Sequence, residues 1–436
     1  MTARPESYPA AGRDRKLVRT MAGRCAVLFP GPDAYTPGAL SSLARSEPLV
    51  GELLSDVDHA AALARRPPVS PLLLDEDAPA LDALATTAPA ELHTAVFAAE
   101  FVLFQLLTGR HRLRPDVLLG HGFGDLVALT AAGILDLRQG MALVAARDDA
   151  LAARPAAPGG MMALALSGAR AMHLLAALGE WTVSVSAHDG PRQCVVSGPR
   201  TALDRVYTAA GALGVRAVRL CAPYAFHSRE LGAAADEFAE YSGAAVRPRH
   251  GRHLVYSATL GRSLDGPEDT AALIAAHLVR PVRFADAVRA LHAEGVDVFV
   301  ECSPRSALTE HVTATVPGVT AIAPLHRRAT AADVAAALAS ACDVPTGRRA
   351  EQQEAAPVVP RPRGPLGPVR LPPPRREPSV RTPAEPTAAG ARRTRRARPG
   401  DVLAGAPPSD PDAAVIATGG VRGTTGGPGR SGVAPC

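Results

Sequence analysis

A glycine-rich segment within residues 116–137 has the spacing of a nucleophile elbow. The apolar run Val117–Leu119 is followed by Gly120-His121-Gly122-Phe123-Gly124 and then by a helical pattern. Such an elbow turns a strand sharply into a helix and holds a nucleophilic side chain above a sheet. Glycines are expected beside the tip because the turn leaves no room for Cβ atoms. The tip residue, Gly122, is itself glycine, so the sequence predicts the scaffold of a covalent catalyst without its nucleophile.

Composition and charge exclude several other classes of protein. The chain has 436 residues, 47% of them hydrophobic, which is enough for two or three domains. The net charge of +5 is uneven, since residues 346–436 carry 15 arginines against seven acids and leave the remainder acidic. The basic pI is therefore no indication of nucleic-acid binding. No C-x-x-C pair, metal-ligand spacing, signal peptide or charge-free apolar span is found, which predicts a cytoplasmic protein without metal, nucleic acid or membrane partners.

Hydrophobic patterning predicts a mainly parallel α/β core. Buried strands are predicted at Arg24–Pro30, Asp116–Gly120 and Val296–Glu301, with amphipathic helices between them. Residues 1–20 are charged and aperiodic, which predicts a flexible arm. The predicted folded domain covers residues 21–345, with its large α/β core at 21–158 and 227–345.

Between the two parts of this core, residues 159–226 have a different hydrophobic pattern. Their pattern predicts a β-α-β-β-α-β unit, the ferredoxin-like arrangement, as an inserted subdomain. The predicted elements are Met161–Leu166, Ala169–Leu178, Trp181–Ala187, Gln193–Ser197, Arg200–Leu213 and Val215–Cys221.

The last segment, residues 346–436, is rich in proline and arginine and has no apolar period. This composition predicts a disordered C-terminal tail. Two interpretations stay open: a flexible tether or arm for an acidic partner, and unselected polypeptide such as an out-of-frame read of GC-rich DNA.

Several ordered motifs point to one family. From about Cys25 to Arg328 the chain resembles the malonyl-CoA:acyl carrier protein transacylases and the acyltransferase domains of polyketide synthases. The resemblance implies an α/β-hydrolase-like core with a ferredoxin-like insert. It is carried by the elbow together with Phe29-Pro30-Gly31, Arg147, Asp189-Gly190-Pro191, Val195-Val196-Ser197-Gly198, Tyr224-Ala225-Phe226-His227-Ser228, Pro281-Val282-Arg283-Phe284 and Glu301-Cys302-Ser303-Pro304.

The resemblance implies ping-pong acyl transfer from an acyl-CoA to a carrier protein. A serine at the elbow tip attacks the thioester while the histidine at the position of His227 takes its proton. The backbone N–H of Phe123 serves as one oxyanion donor. Arg147 pairs with the free carboxylate of malonyl or a related acyl group. No cofactor is implied beyond the acyl-CoA substrate and the phosphopantetheine that an acyl carrier protein brings.

Four positions depart from the family pattern. Gly122 takes the place of the nucleophile, a loss that costs about 10⁶ in kcat in a serine hydrolase. Pro32 takes the place of a glutamine whose backbone N–H is the second oxyanion donor, and proline has no N–H. Loss of one such donor lowers kcat by a factor of about 10²–10³. His93 stands where a glutamine often lines the pocket, and Asp189 where an asparagine is frequent. His121, Arg147 and His227 match the pattern, which implies that the substrate-binding pocket persists.

The residues before His227 bear on acyl choice. In polyketide acyltransferases a phenylalanine directly before the histidine goes with malonyl, and a tyrosine three residues before it goes with methylmalonyl. This chain has both, Phe226 and Tyr224. Because Phe226 narrows the pocket, we expect malonyl.

Alternatives remain open at three kinds of residue. His227 is either a general base that acts on water at Gly122 or a residue without a catalytic role that only hydrogen-bonds its neighbours. Arg147 either grips a carboxylate or pairs with Asp148 or Asp149 on a solvated helix. Cysteines 221 and 302 approach the site in the family, but a buried structural role is more common than a substitute nucleophile.

Three functions therefore follow from the sequence. The leading hypothesis is a catalytically impaired acyltransferase of polyketide or fatty-acid biosynthesis that still binds acyl-CoA or a carrier protein. The second is an active acyltransferase or thioester hydrolase that uses His227 and water. The third is a non-catalytic scaffold in a synthase assembly.

Overall fold

The central sheet of the computed structural model contains six strands in the order β10-β9-β1-β2-β7-β8. The structure describes residues 24–154, 158–326 and 328–343. All neighbouring strands of this sheet are parallel except β7 and β8, which are antiparallel. The strands are β1 (Arg24–Phe29), β2 (Val117–Gly120), β7 (Leu254–Ser257), β8 (Arg262–Ser263), β9 (Val296–Glu301) and β10 (Thr320–Ile322).

Three strands of this sheet, β1, β2 and β9, have hydrophobic runs because both of their faces are covered. β2 and β9 are buried at every residue, and β1 at all but its first. Such continuous burial is typical of parallel strands between two layers of helices. The hydrophobic contacts divide accordingly into one cluster on each face of the sheet. The predicted α/β core is confirmed, and the predicted bounds of β9 agree with the structure.

Fourteen α-helices are described in residues 24–154, 158–326 and 328–343. Those that precede the second sheet are α1 (Ser41–Ser46), α2 (Leu49–Leu63), α3 (Ser70–Leu74), α4 (Leu81–Thr87), α5 (Pro89–Gln105), α6 (Gly124–Ala131) and α7 (Leu137–Ala153). The others are α8 (Gly168–Leu178), α9 (Arg200–Ala212), α10 (Gly232–Ala245), α11 (Pro267–Ala276), α12 (Phe284–Ala293), α13 (Thr309–Thr315) and α14 (Ala331–Asp343).

One helical segment, Pro89–Arg110, is long and apolar enough to meet the length and hydropathy criteria for a membrane span. It comprises α5 and the π-turn Leu106–Arg110 that follows it. Within its most hydrophobic window, 83% of the residues are buried inside the protein. A core helix of a folded domain passes the same criteria, and α5 packs against α6 and α7 in the larger hydrophobic cluster.

A second sheet has four antiparallel strands in the order β4-β5-β3-β6. Its strands are β3 (Gly159–Leu164), β4 (Ser184–Gly190), β5 (Gln193–Pro199) and β6 (Ala217–Arg219). With α8 and α9 they form the predicted β-α-β-β-α-β order, which confirms the ferredoxin-like insert. The domain boundaries themselves stay predictions, and both the predicted arm at 1–20 and the predicted tail at 346–436 lie outside the described residues.

All four strands of the insert differ from their predicted bounds, and the differences are largest at β4 and β6. The strand predicted at Trp181–Ala187 begins three residues later and continues to Gly190, because β4 pairs with β5 as far as the contact between Gly190 and Gln193. Trp181 is 76% exposed and precedes the strand. The strand predicted at Val215–Cys221 is shorter, because only Ala217–Arg219 pairs with β3.

Candidate active site

The elbow lies between the end of β2 and the start of α6. The tip residue, Gly122, has φ +57°, a left-handed conformation. A Cβ at Gly120 would lie 2.3 Å from the backbone nitrogen of Asp125, and one at Gly124 would lie 1.9 Å from the carbonyl oxygen of Phe29. Both neighbours are backbone atoms that cannot move aside. Residues 120 and 124 must therefore be glycine for the strand to turn so closely into the helix.

The tip differs from the two glycines beside it. An ideal Cβ at Gly122 would meet only side-chain atoms, namely His227 Nε2 at 2.8 Å and Cε1 at 3.5 Å, and Val282 Cγ2 at 3.7 Å. No backbone atom crowds this position. A side chain placed here would point at the imidazole of His227, which would have to shift, and the left-handed backbone at φ +57° would strain it.

His227 is held from both its backbone and its ring. Its backbone N–H donates to the carbonyl of Leu278 at 2.8 Å, and its ring Nδ1 lies 3.0 Å from the carbonyl oxygen of Arg280. Because a carbonyl only accepts, Nδ1 carries the proton and Nε2 presents a lone pair toward the elbow tip. Burial, with the nearby positive charges of His121 and Arg147, lowers the pKa of His227 to about 3. The imidazole is therefore neutral at pH 7.

A second histidine, His121, has the opposite electrostatic character. Its Nε2 donates to the carboxylate of Asp189 on β4, at 2.8 Å. Burial alone would lower the pKa of His121, but the hydrogen bond and charge of Asp189 raise it above the ordinary value. The same contact lowers the pKa of Asp189 against the effect of its own burial. Asp189 therefore lines the cavity as the hydrogen-bond partner of His121 and is not a free carboxylate.

The two oxyanion positions differ in what they offer. Pro32 begins a short 3₁₀ turn, Pro32–Ala34, and has no N–H to donate. Phe123 directly precedes α6, where the first N–H groups of a helix lack intrahelical acceptors. The backbone at Phe123 can therefore still supply a donor.

Arg147 lies on α7, whose start is fixed by a capping box between Asp136 and Gln139. Its side chain is buried and its Nη1 donates to Asp148 Oδ1 at 3.0 Å. The same oxygen accepts from His93 Nδ1 at 2.7 Å. The guanidinium carbon lies 4.8 Å from the ring centre of Phe226 and 5.3 Å from that of Phe123.

This arrangement corrects one part of the sequence interpretation. The predicted alternative, that Arg147 pairs with a neighbouring acid, is present, but the pair is buried and not on a solvated helix. The other acid, Asp149, is largely exposed and pairs with Arg66 at 2.5 Å. Whether Arg147 also grips a substrate carboxylate stays a prediction.

A single cavity of about 180 Å³ brings together all eight residues that the sequence predicted for the site. It lies between the elbow, the start of α5, α7, the sheet of the insert and the start of α13. Their roles stay predictions, but their common location is observed. The eight residues are Pro32, His93, His121, Gly122, Phe123, Arg147, Phe226 and His227.

The two cysteines considered as substitute nucleophiles differ in position. Cys302 is fully buried, and its thiol donates to the carbonyl of Glu100 at 3.3 Å. Burial, with the charges of Glu100 and Glu301, raises the pKa of Cys302 well above its ordinary value, so that it is no thiolate at pH 7. Cys221 is half-buried in the cavity wall.

Sequence reasoning missed the group that shapes one wall of the cavity. The carboxylate of Glu301, at the end of β9, accepts from the backbone N–H groups of Ala307, Leu308 and Thr309 at 2.7, 2.9 and 3.1 Å. Ala307 and Leu308 line the cavity just before α13. An acid at the end of a buried strand was the available signal, since such a group requires donors. Across the described ranges, no group of three or more His, Cys, Asp or Glu side chains is arranged to hold a metal ion.

Comparison with known proteins identifies the family. Residues 42–346 match the family described as the acyl transferase domain. The chain belongs to this acyltransferase family. Its N-terminal strand β1 and the Phe29-Pro30-Gly31 motif precede the matched range, although β1 lies in the centre of the same sheet.

The curated relatives of this acyltransferase domain are much longer proteins. It is 33% identical over 320 residues to the spectinabilin polyketide synthase system protein NorA' of Streptomyces orinoci, covering 73% of the chain and 9% of that protein. It is 34% identical over 289 residues to the phenolphthiocerol synthesis polyketide synthase Pks15/1 of Mycobacterium marinum, covering 66% of the chain and 13% of that protein. The chain thus spans less than a sixth of the length of either relative.

Solved structures extend the similarity to three dimensions. The acyltransferase domain from module 8 of the salinomycin polyketide synthase is 28% identical with a TM-score of 0.65, over 75% of this chain and 78% of that one. The malonyl-CoA:acyl carrier protein transacylase of Xanthomonas oryzae pv. oryzae is 27% identical with a TM-score of 0.65, over 74% of this chain and 99% of that one. This acyltransferase domain is therefore similar to both the polyketide synthase domains and the free-standing transacylases.

Proposed function

We propose that this acyltransferase domain binds malonyl-CoA or a related acyl-CoA, and an acyl carrier protein, without forming an acyl-enzyme at its elbow. The observation that carries the proposal is at the tip. His227 Nε2 lies 2.8 Å from the place where a Cβ of residue 122 would stand, and Gly122 has no side chain there. His227 faces the tip, but residue 122 offers no hydroxyl or thiol to attack a thioester.

Two losses of transition-state stabilisation support this proposal independently. Removal of the nucleophile of a serine hydrolase costs about 10⁶ in kcat. Removal of one oxyanion donor costs about 10²–10³ in addition, and Pro32 cannot supply an N–H. The retained cavity, with Arg147, His121 and Phe226 in its wall, supports continued binding of the substrate.

The proposed partners come from the similar proteins. The Xanthomonas neighbour is named for transfer between malonyl-CoA and acyl carrier protein. By analogy, the carrier's phosphopantetheine arm would enter the cavity, and the reaction class needs no further cofactor. A place in polyketide or fatty-acid assembly, a cytoplasmic location and the status of a pseudoenzyme are parts of the same proposal.

Intact mass spectrometry tests the proposal on the full chain. After incubation with malonyl-CoA, and separately with acetyl-CoA, we expect the mass of the parent protein to stay unchanged. Isothermal titration of the same samples should show binding of an acyl-CoA. A stable adduct of the acyl mass on the parent protein would overturn the proposal.

A second candidate function is hydrolysis of a thioester by water bound at the elbow. The observation that favours it is the lone pair on His227 Nε2, which faces the open position at Gly122. The pKa of about 3 makes His227 a weak base and opposes this candidate. Release of CoA that disappears in His227→Ala would support hydrolysis, whereas equal rates in parent and variant would exclude it.

A further inference from the structure

Arg147 lines the cavity, and its charge is already balanced by Asp148, which is not among the cavity-lining residues. Arg147 is 3% exposed and the adjacent Asp148 is 7% exposed. Arg147 Nη1 lies 3.0 Å from Asp148 Oδ1. Two opposite charges this close and this well buried attract each other strongly, because little water screens them. The guanidinium therefore does not offer an unopposed positive charge to a ligand.

Asp148 is also fixed in place by a second donor. His93 Nδ1 donates to the same Oδ1 atom at 2.7 Å, and the His93 ring stacks on that of Phe123 with 5.5 Å between ring centres. The guanidinium in turn lies over the rings of Phe123 and Phe226. Both members of the ion pair are thus held by packed neighbours, so that neither is free to swing away from the other.

A ligand carboxylate at Arg147 would compete with Asp148 for the same guanidinium. Arg147 Nε and Asp148 Oδ2 are both buried without a hydrogen-bond partner among the described residues. A malonyl carboxylate that reached Nε would share one guanidinium with Asp148. Two carboxylates at one site disfavour each other's charged forms. An uncharged acyl group meets no such repulsion and contacts the Phe123 and Phe226 rings.

We infer that Asp148 acts as a specificity-determining residue that makes the cavity prefer acyl groups without a free carboxylate, such as acetyl, over malonyl. This inference rests on the proposed function, in which the cavity binds acyl-CoA. It departs from the malonyl preference that Phe226 predicts. Phe226 limits the size of the acyl group that the cavity accepts, whereas Asp148 disfavours an acyl group that carries a negative charge. A positively charged side chain in a cavity wall selects anions only where its charge is not already neutralised.

Titration calorimetry of the full chain with acetyl-CoA and malonyl-CoA tests the inference. We expect the parent protein to bind acetyl-CoA at least as tightly as malonyl-CoA. Asp148→Asn keeps the shape and an acceptor oxygen but removes the negative charge. It should shift the ratio of the two affinities at least tenfold toward malonyl-CoA.

Asp149→Asn is the matched control, since it makes the same change one residue along α7 at an exposed acid paired with Arg66. It should leave the ratio unchanged. A parent protein that binds malonyl-CoA tenfold more tightly than acetyl-CoA overturns the inference but leaves the proposed function standing, and this measurement decides the matter even where Asp148→Asn does not fold. Equal shifts in both variants also overturn it. Binding of neither thioester overturns the inference and the proposed function together.

Discussion

The two ends of the cavity differ in which part of the proposed acyltransferase site they contain. At the elbow end, the backbone is arranged around a side chain that Gly122 does not supply. At the arginine end, the side chain of Arg147 is present, but Asp148 already balances its charge. The backbone geometry of a family therefore persists separately from the chemistry of its side chains. Each end can be altered by a change at one or two positions.

Within the elbow, the glycines also divide into two kinds. Gly120 and Gly124 are required by backbone atoms of Asp125 and Phe29, whereas Gly122 faces only side chains. Substitution of Gly120 or Gly124 should therefore destabilise the fold more than substitution of Gly122.

The largest effect on stability is expected at Gly124. A Cβ there would stand 1.9 Å from the carbonyl oxygen of Phe29, so Gly124→Ala must displace β1 or α6. We expect a loss of about 3 kcal/mol or more in the free energy of unfolding, measured by urea denaturation. Gly211→Ala on α9 is the control, because nothing lies within 4 Å of its Cβ position. It should stabilise the protein by about 0.5–1 kcal/mol. Similar results for the two variants would contradict the steric account of the elbow.

A smaller effect is expected where the insert contacts the elbow. Asp189→Asn removes the charge that pairs with His121 across 2.8 Å. Loss of this charged hydrogen bond should reduce the free energy of unfolding by about 2 kcal/mol at pH 6. The pKa of His121, followed by NMR, should fall because Asp189 is what raises it. An unchanged His121 titration in Asp189→Asn would show that the pair does not set the charge of this histidine.

The smallest effect is expected from the titration of His227. Its pKa is about 3 in the folded protein and near 6.5 in an unfolded chain. Between these values the unfolded chain binds a proton that the folded protein does not, so acidification destabilises the fold. From pH 7 to pH 6 this contribution is under about 1 kcal/mol. His227→Ala should reduce the dependence of stability on pH in this range. Equal pH dependence in the parent and His227→Ala would contradict the assignment.

Much of the fold could be predicted from the sequence because its strongest signals are local. The buried strand Val296–Glu301 is a continuous apolar and β-branched run, and the structure has the same bounds. The glycines at 120 and 124 stand where the chain must turn without a Cβ. The end of β4 could not be predicted this way. Its polar end at His188 and Asp189 is held by pairing with β5, which the pattern of Trp181–Ala187 does not contain.

The contacts of the site were harder to predict than its members. Pairing of Arg147 with Asp148 was an alternative that the sequence left open, but its position next to Arg147 did not predict that the pair would be buried. The Arg280 carbonyl that orients His227 is a backbone atom and carries no side-chain signal. Both contacts depend on how distant segments pack, which hydrophobic periodicity does not specify.

We propose that the elbow lacks only its nucleophile and one oxyanion donor. The most direct test of this proposal is the intact mass of four proteins after incubation with malonyl-CoA or acetyl-CoA: the parent, Gly122→Ala, Gly122→Ser and the double variant Gly122→Ser/Pro32→Gln. Gly122→Ala displaces His227 as serine would but has no hydroxyl.

We predict an acyl adduct on the two serine variants, formed faster by the double variant, and none on the parent or Gly122→Ala. An adduct on the parent would reveal another nucleophile and contradict the account. No adduct on any variant would show that the site has changed beyond these two positions, and a scaffold role would then explain the chain better.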